Sequence, residues 1–258
     1  MLRKQSCAGL LGLAWVFCPT GVAQHVLPTA GSDLFVKTIE AMKHSVISLD
    51  CLAVGGEESR ILDRMGSAFL ISMRDFLTAA HVVMDMQKGE HPCPTPAIML
   101  PVDEWRPDDP TEQLLWFPFK ISACRADRAL DIAVCPLGDD LANRQRELRL
   151  RIAPVEFDWH IPPDGAPVAF TGFPLQARDP MTFRANVAAH RTPFPDEPIP
   201  EMIIDRQALP GFSGSPIYLA DGRVVAVAIR LGKDETLGIT IARPVSVLRE
   251  MLRQQPQK

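Results

Sequence analysis

An all-β fold is what this sequence predicts, on three observations. Short apolar runs recur along the chain, as in Gly66-Ser-Ala-Phe-Leu-Ile71 and Val224-Val-Ala-Val-Ala-Ile229, and runs of this length bounded by turn residues read as strands. Turn signals separate them, Ala220-Asp-Gly-Arg223 being a hairpin connection. The length of 258 residues, 47% of them hydrophobic, suits one unit with an ample core, since all-β folds of about 200–250 residues commonly act as a single domain.

The elements follow in order. Met1-Leu-Arg-Lys-Gln-Ser6 is basic, Cys7 to Cys18 is apolar and Gly21-Val-Ala23 offers small residues for cleavage, so residues 1–23 read as a secretory leader. The apolar stretch is shorter than the roughly 20 residues of a spanning helix, which leaves no stable membrane anchor once the leader is cut. Ser32 then caps a short helix with Phe35, Ile39 and Met42 on one face. Residues 24–150 carry six strand candidates: Ser45 to Val54, Gly66 to Ser72, Phe76 to Thr78, Ala97 to Pro101, Phe117 to Cys124 and Asp131 to Pro136. The proline-rich stretch His91 to Pro110 interrupts them as a surface loop. A charged connector, Asp139 to Arg151, leads to residues 151–258 and six more: Pro167 to Phe173, Thr182 to His190, Glu201 to Asp205, Pro216 to Leu219, Val224 to Leu231 and Thr236 to Ile241. Pro244 opens a closing helix striped by Val245, Leu248, Met251 and Leu252.

The formal net charge of −4 comes without a basic patch, so nucleic acid is not an expected partner. Export leaves Cys51, Cys93, Cys124 and Cys135 in an oxidising compartment, periplasmic or extracellular, where they have three ways to pair. The preferred arrangement joins Cys51 to Cys135, both on strand candidates, and Cys93 to Cys124. No Cys-x-x-Cys occurs, and His25, His44, His91 and His160 lack metal-ligand spacing, so no metal is expected.

Three segments carry chemistry. Ala208-Leu-Pro-Gly-Phe-Ser-Gly-Ser-Pro216 holds Ser213 between glycines in a tight turn, where amide hydrogens can converge beside a hydroxyl. His81 follows two alanines in Phe76-Leu-Thr-Ala-Ala-His81, small residues that permit close approach to another segment. Asp131 interrupts the apolar run Ala129-Leu-Asp-Ile-Ala-Val-Cys135, and a carboxylate there is costly unless paired. Together they suggest a nucleophile, a general base and an orienting carboxylate, with the backbone N–H groups of Gly211 and Ser213 as an oxyanion hole. Ser215 is the rival nucleophile and Asp127 the rival carboxylate, the latter outside the apolar frame.

On these residues, together with Gly172-Phe-Pro174 and Leu237-Gly-Ile-Thr-Ile-Ala-Arg-Pro244, the chain resembles the trypsin-like serine proteases. Within them it is similar to the bacterial HtrA-type and glutamyl-endopeptidase-like branch, over roughly residues 34 to 254. The resemblance implies two packed six-stranded antiparallel barrels with the cleft between them. His81 and Asp131 would come from the first and Ser213 from the second, in a serine endopeptidase that acts on protein or peptide substrates without a cofactor. It implies that Gln207 lies at the base of the pocket for the side chain before the cut. Ile229, Arg230 and Leu231 would form the wall and pair with an extended substrate. A neutral Gln207 argues against Lys or Arg selection, Arg230 could recruit acidic groups, and His190 lies where a glutamate-selective member places a pocket histidine. The chain departs from the family at Phe212, where trypsin has an aspartate and HtrA-type enzymes asparagine. Too few residues follow Arg243 for the PDZ domain of HtrA-type enzymes, and Gln24 to Ala30 is short for their trimer-forming segment, so a monomer is expected. A protease-fold binding protein without turnover is the alternative.

Overall fold

A computed structural model describes residues 34–53, 60–86, 93–100, 116–137, 152–191, 199–231 and 238–253. The leader, Ser32 and the connector 139–151 lie outside the described residues. Among the described residues there are thirteen strands and three α-helices: α1 (Leu34–Lys43), β1 (Val46–Ala53), β2 (Arg60–Leu70), β3 (Asp75–Ala79), α2 (Ala80–Val83), β4 (Pro96–Met99), β5 (Trp116–Pro118), β6 (Arg125–Asp127), β7 (Ile132–Pro136), β8 (Pro167–Gly172), β9 (Met181–Arg191), β10 (Glu201–Ile204), β11 (Pro216–Tyr218), β12 (Val224–Leu231), β13 (Thr240–Pro244) and α3 (Arg249–Arg253).

The all-β expectation holds, with a chymotrypsin-like arrangement. The second half is a closed barrel in the order β10-β13-β12-β11-β8-β9. The first half is a curled seven-stranded sheet, β5-β4-β1-β2-β3-β7-β6, rather than a closed six-stranded barrel. Its extra strand is β6: the run expected as one strand from Phe117 to Cys124 ends as β5 at Pro118 and passes through a 3-10 turn, Ile121–Ala123, and a further strand then begins at Arg125. These two strands are the opposite edges of the sheet.

The core explains why these segments pair. Residues Val46 to Leu52 of β1 are buried throughout, because the strand is covered on both faces, which suits its apolar character. One apolar cluster runs from Phe69 and Phe76 of the first half to Phe173, Tyr218 and Ile229 of the second, so the two halves share a dry contact. A second cluster, with Phe170 and Phe212, fills the barrel. Helix α1 buries Phe35, Thr38 and Met42, and the Thr38 hydroxyl donates to Ala220 O at 2.6 Å. The closing helix expected from Pro244 begins as a 3-10 turn, Val245–Leu248, before α3, with Val245 and Leu248 buried.

The disulfides correct the expected pairing: Cys51 bonds Cys93, and Cys124 bonds Cys135. Strand order is the reason. Between β1 and β7 lie β2 and β3, which puts Cys51 and Cys135 about 14 Å apart at ordinary strand spacing. Meanwhile Arg125 faces Val134 across β6 and β7, so the next pair outward is Cys124 with Cys135. Cys51 faces Pro96, and Cys93 lies just before that point.

Candidate active site

The imidazole and carboxylate candidates meet because β3 and β7 are neighbours. Their register places Ala79 opposite Ile132, so the residues just beyond these ends, His81 on the one-turn helix α2 and Asp131 before β7, fall side by side. His81 N donates to Asp131 Oδ1 at 3.0 Å, and His81 Nδ1 lies 2.8 Å from Asp131 Oδ2. A carboxylate only accepts, so Nδ1 carries the proton and Nε2 is left as the acceptor. Ala80 N also donates to Asp131 O at 3.0 Å. Asp131 has φ of 56°, a left-handed conformation that costs on the order of 1–3 kcal/mol in a non-glycine residue and persists only where the surroundings dictate it. Here three hydrogen bonds to α2 and its approach do so. Asp127, the rival carboxylate, is spent on the turn before it, since its Oδ1 accepts from Ala129 N and Leu130 N at 3.0 Å each.

The Ser213 loop docks onto the first half at β2. Ser67 N donates to Ser213 O at 2.8 Å, and the buried Ser67 hydroxyl donates to Gly211 O at 2.7 Å while accepting from Phe173 N at 2.8 Å. Gly214, at φ of 87°, sits so close to β2 and β3 that a Cβ would strike the Ser67 carbonyl, Thr78 Oγ1 and, at 3.1 Å, Ala79 N. A Cβ at Gly66 would meet both Ser213 O and Val82 Cγ2 at 2.9 Å. Ser213 thus lies beside the segment that carries His81. Among the described residues no hydrogen bond joins the Ser213 hydroxyl to the imidazole.

Two peptide planes of this loop are held by their carbonyls. Pro210 O accepts from Leu175 N and Phe212 O from Ser215 N, each at 2.9 Å. In a trans peptide the N–H points opposite to the C=O, so Gly211 N–H and Ser213 N–H are directed away from those anchors. Neither has an acceptor among the described residues. Phe212 is fully buried, with its ring centroid 5.1 Å from those of Phe170 and Phe183. It therefore anchors the loop by apolar packing where an ion pair or amide would otherwise act. Ser215 is also fully buried, and its hydroxyl has no hydrogen-bond partner among the described residues.

The expected pocket residues divide. Gln207 is half-buried in a segment pinned by Thr240, whose Oγ1 accepts from Ala208 N at 2.7 Å and donates to Arg206 O at 2.6 Å. Ile229 is buried at a bulge between Ala228 and Arg230 on β12. Arg230 is exposed and donates to Glu201 Oε1 at 2.5 Å. Leu231 ends β12. His190 Nε2 lies 2.7 Å from Pro162 O. Sequence reasoning missed Ser67 and Arg243 as parts of the site. Arg243 Nε donates to Leu130 O at 2.9 Å, reaching across to the residue before Asp131.

Comparison with known proteins agrees with the fold. The family model described as the trypsin-like peptidase domain matches residues 66–227. No curated protein sequence matches the chain significantly. Among solved structures, the active form of the Rv3671c protease from M. tuberculosis is similar with a TM-score of 0.61 and 16% identity, over 86% of this chain and 85% of that one. The inactive form of the Rv3671c protease gives 0.58 and 16%, over 85% and 93%.

Proposed function

This chain belongs to the trypsin-like peptidase domain family, and on that premise we propose that it is an exported serine endopeptidase in which Ser213, His81 and Asp131 form the catalytic triad. The observation that carries the reading is the bidentate contact of His81 with Asp131, by backbone N–H and Nδ1, beside a serine loop docked through Ser67. Ser213 Oγ attacks the substrate carbonyl carbon and gives its proton to His81 Nε2. Asp131 holds the tautomer and stabilises the imidazolium. Gly211 N–H and Ser213 N–H receive the oxyanion. The tetrahedral intermediate collapses as His81 passes the proton to the leaving amine, and water then hydrolyses the acyl-enzyme through the same base, returning the proton to Ser213.

Substrate strands pair with the backbone of Ile229 to Leu231, and the neutral Gln207 favours a small or medium apolar residue before the cut. The two disulfides support a periplasmic or secreted location for a monomer released from its leader near Ala23. Among the described residues no helix is long and apolar enough to cross a membrane.

The unbonded Ser213 hydroxyl supports a second reading, a latent scaffold that binds without turnover. Such bonds often tighten only with substrate in place. Labelling of residues 24–258 by a fluorophosphonate, with mass mapping and a Ser213→Ala control, separates the two. An adduct on Ser213 that the control lacks is expected. Absence of an adduct on folded protein sinks the endopeptidase reading.

A further inference from the structure

On the proteolytic reading, a recess of 190 Å³ beside Asp131 flanks the catalytic centre. It is bordered by Ile229 and Arg230, which are assigned above to pairing with the substrate strand. Its lining is dominated by charge, with Arg128, Arg230 and Arg243 against Asp131 and Glu201. Both carboxylates are already committed. Asp131 is engaged by His81, and the buried Glu201 is held by Arg191 at 2.9 Å and Arg230 at 2.5 Å.

Among the described residues, Arg243 has no carboxylate in direct contact. It is only 5% exposed, yet its Nε donates to Leu130 O at 2.9 Å and its Nη1 to Pro200 O at 2.8 Å and Ile199 O at 3.4 Å, all neutral carbonyls. Among the described residues it forms no salt bridge, and its Nη2 finds no acceptor. Burial, helped by Arg230, holds its pKa below the ordinary guanidinium value, against the more distant pull of Glu201, Asp131 and Asp127. Arg128 is exposed, and its guanidinium has no partner among the described residues. A buried cation hydrogen-bonded only to neutral carbonyls is costly, and this one lines the recess.

We propose that this recess is a subsite for the carboxylate of an aspartate or glutamate in the acyl half of the substrate, upstream of the residue that fills the primary pocket. Arg243 forms its floor, and Arg128 and Arg230 its rim. Their fork of N–H donors matches a carboxylate in a way that a neutral amide of the same shape does not.

The test is direct binding to the Ser213→Ala protein, which leaves the recess untouched. An extended peptide is scanned with Glu in place of Gln at successive positions, and affinity is read by fluorescence anisotropy. At one position upstream of the cut residue, Glu should bind at least about tenfold more tightly than Gln, as a charge-assisted hydrogen bond implies, and the preference should shrink as salt rises. Arg243→Gln should abolish it. Arg128→Gln, at an exposed site that does not threaten folding, should weaken it. Equal binding at every position, or a preference unchanged in both variants, overturns the proposal. Fluorophosphonate labelling of the unsubstituted protein is run beside it. Labelling without a Glu preference overturns the subsite and keeps the protease, whereas a Glu preference without labelling overturns the protease reading, and with it the recess as a substrate subsite.

Discussion

Replacing Ser67 with alanine tests how the two halves organise the serine loop. The hydroxyl is fully buried and makes two hydrogen bonds, to Gly211 O at 2.7 Å and from Phe173 N at 2.8 Å. Each such bond is worth about 1 kcal/mol net, and a buried group left unpaired costs about 1–3 kcal/mol, so Ser67→Ala should destabilise the fold by about 2–4 kcal/mol. The effect on rate has a different origin. Gly211 O would lose the donor that ties it to β2, so Gly211, at φ of 99°, would be held only through the Pro210 carbonyl and its amide would be loosened rather than lost. Losing an oxyanion donor outright costs about 10²–10³ in rate, and a loosened one less, so kcat/KM should fall by about 10- to 100-fold. Urea denaturation and hydrolysis of a peptide identified by library profiling read the two effects separately, provided the rate is measured well below the unfolding transition. A variant with unchanged midpoint and kcat/KM within about twofold of the parent would refute the reasoning, because both hydroxyl contacts would then be dispensable.

Other consequences follow from buried groups. Ser215→Ala removes a hydroxyl without a partner among the described residues, so it should leave labelling at Ser213 intact and raise stability slightly or not at all. Loss of labelling there would reinstate Ser215 as the nucleophile. Tyr218 is the chain's single tyrosine, so ultraviolet titration reads it alone. Burial pushes its pKa up to about 12, against the hydrogen bond with Thr171. The folded state therefore holds the proton more tightly than the unfolded chain, and the stability this contributes is present below about pH 10 and lost as pH rises towards 12. A midpoint near 10 in folded protein would contradict the burial. Peptide mapping without reduction should recover Cys51 with Cys93 and Cys124 with Cys135, and breaking either bridge should cost about 2–5 kcal/mol in thermal or urea unfolding.

Much of the fold was legible because strand patterning is local. The run Ser45 to Val54 became β1, Val46–Ala53, and Val224 to Leu231 became β12 without adjustment. The stretch from Phe117 to Cys124 misled, because Phe117, Phe119, Ile121 and Ala123 keep a strand-like alternation through the 3-10 turn between two edge strands. In the candidate site, His81, Asp131 and Ser213 stand out because each violates its surroundings: a carboxylate in an apolar run, a histidine after small residues, a serine between glycines. Ser67 violates nothing, since a serine on a strand is ordinary until Gly211 O and Phe173 N are seen on either side of it. Arg243 likewise reads as a surface cation in sequence, yet it is buried with its donors on carbonyls from Leu130, Ile199 and Pro200.

What the sequence determined by itself is whatever depends on neighbours along the chain: the strands, the turns, and the residue types gathered in three short motifs. Tertiary structure decided which distant residues meet. Cys124 faces Cys135 because β6 and β7 share a register, while β2 and β3 intervene between Cys51 and Cys135. Ser67 reaches Gly211, and Arg243 reaches Leu130, across the contact between the two halves. Strand order and register are collective outcomes of burying every apolar face at once, so no local segment encodes them, and partners more than a hundred residues apart become visible only when the sheets close.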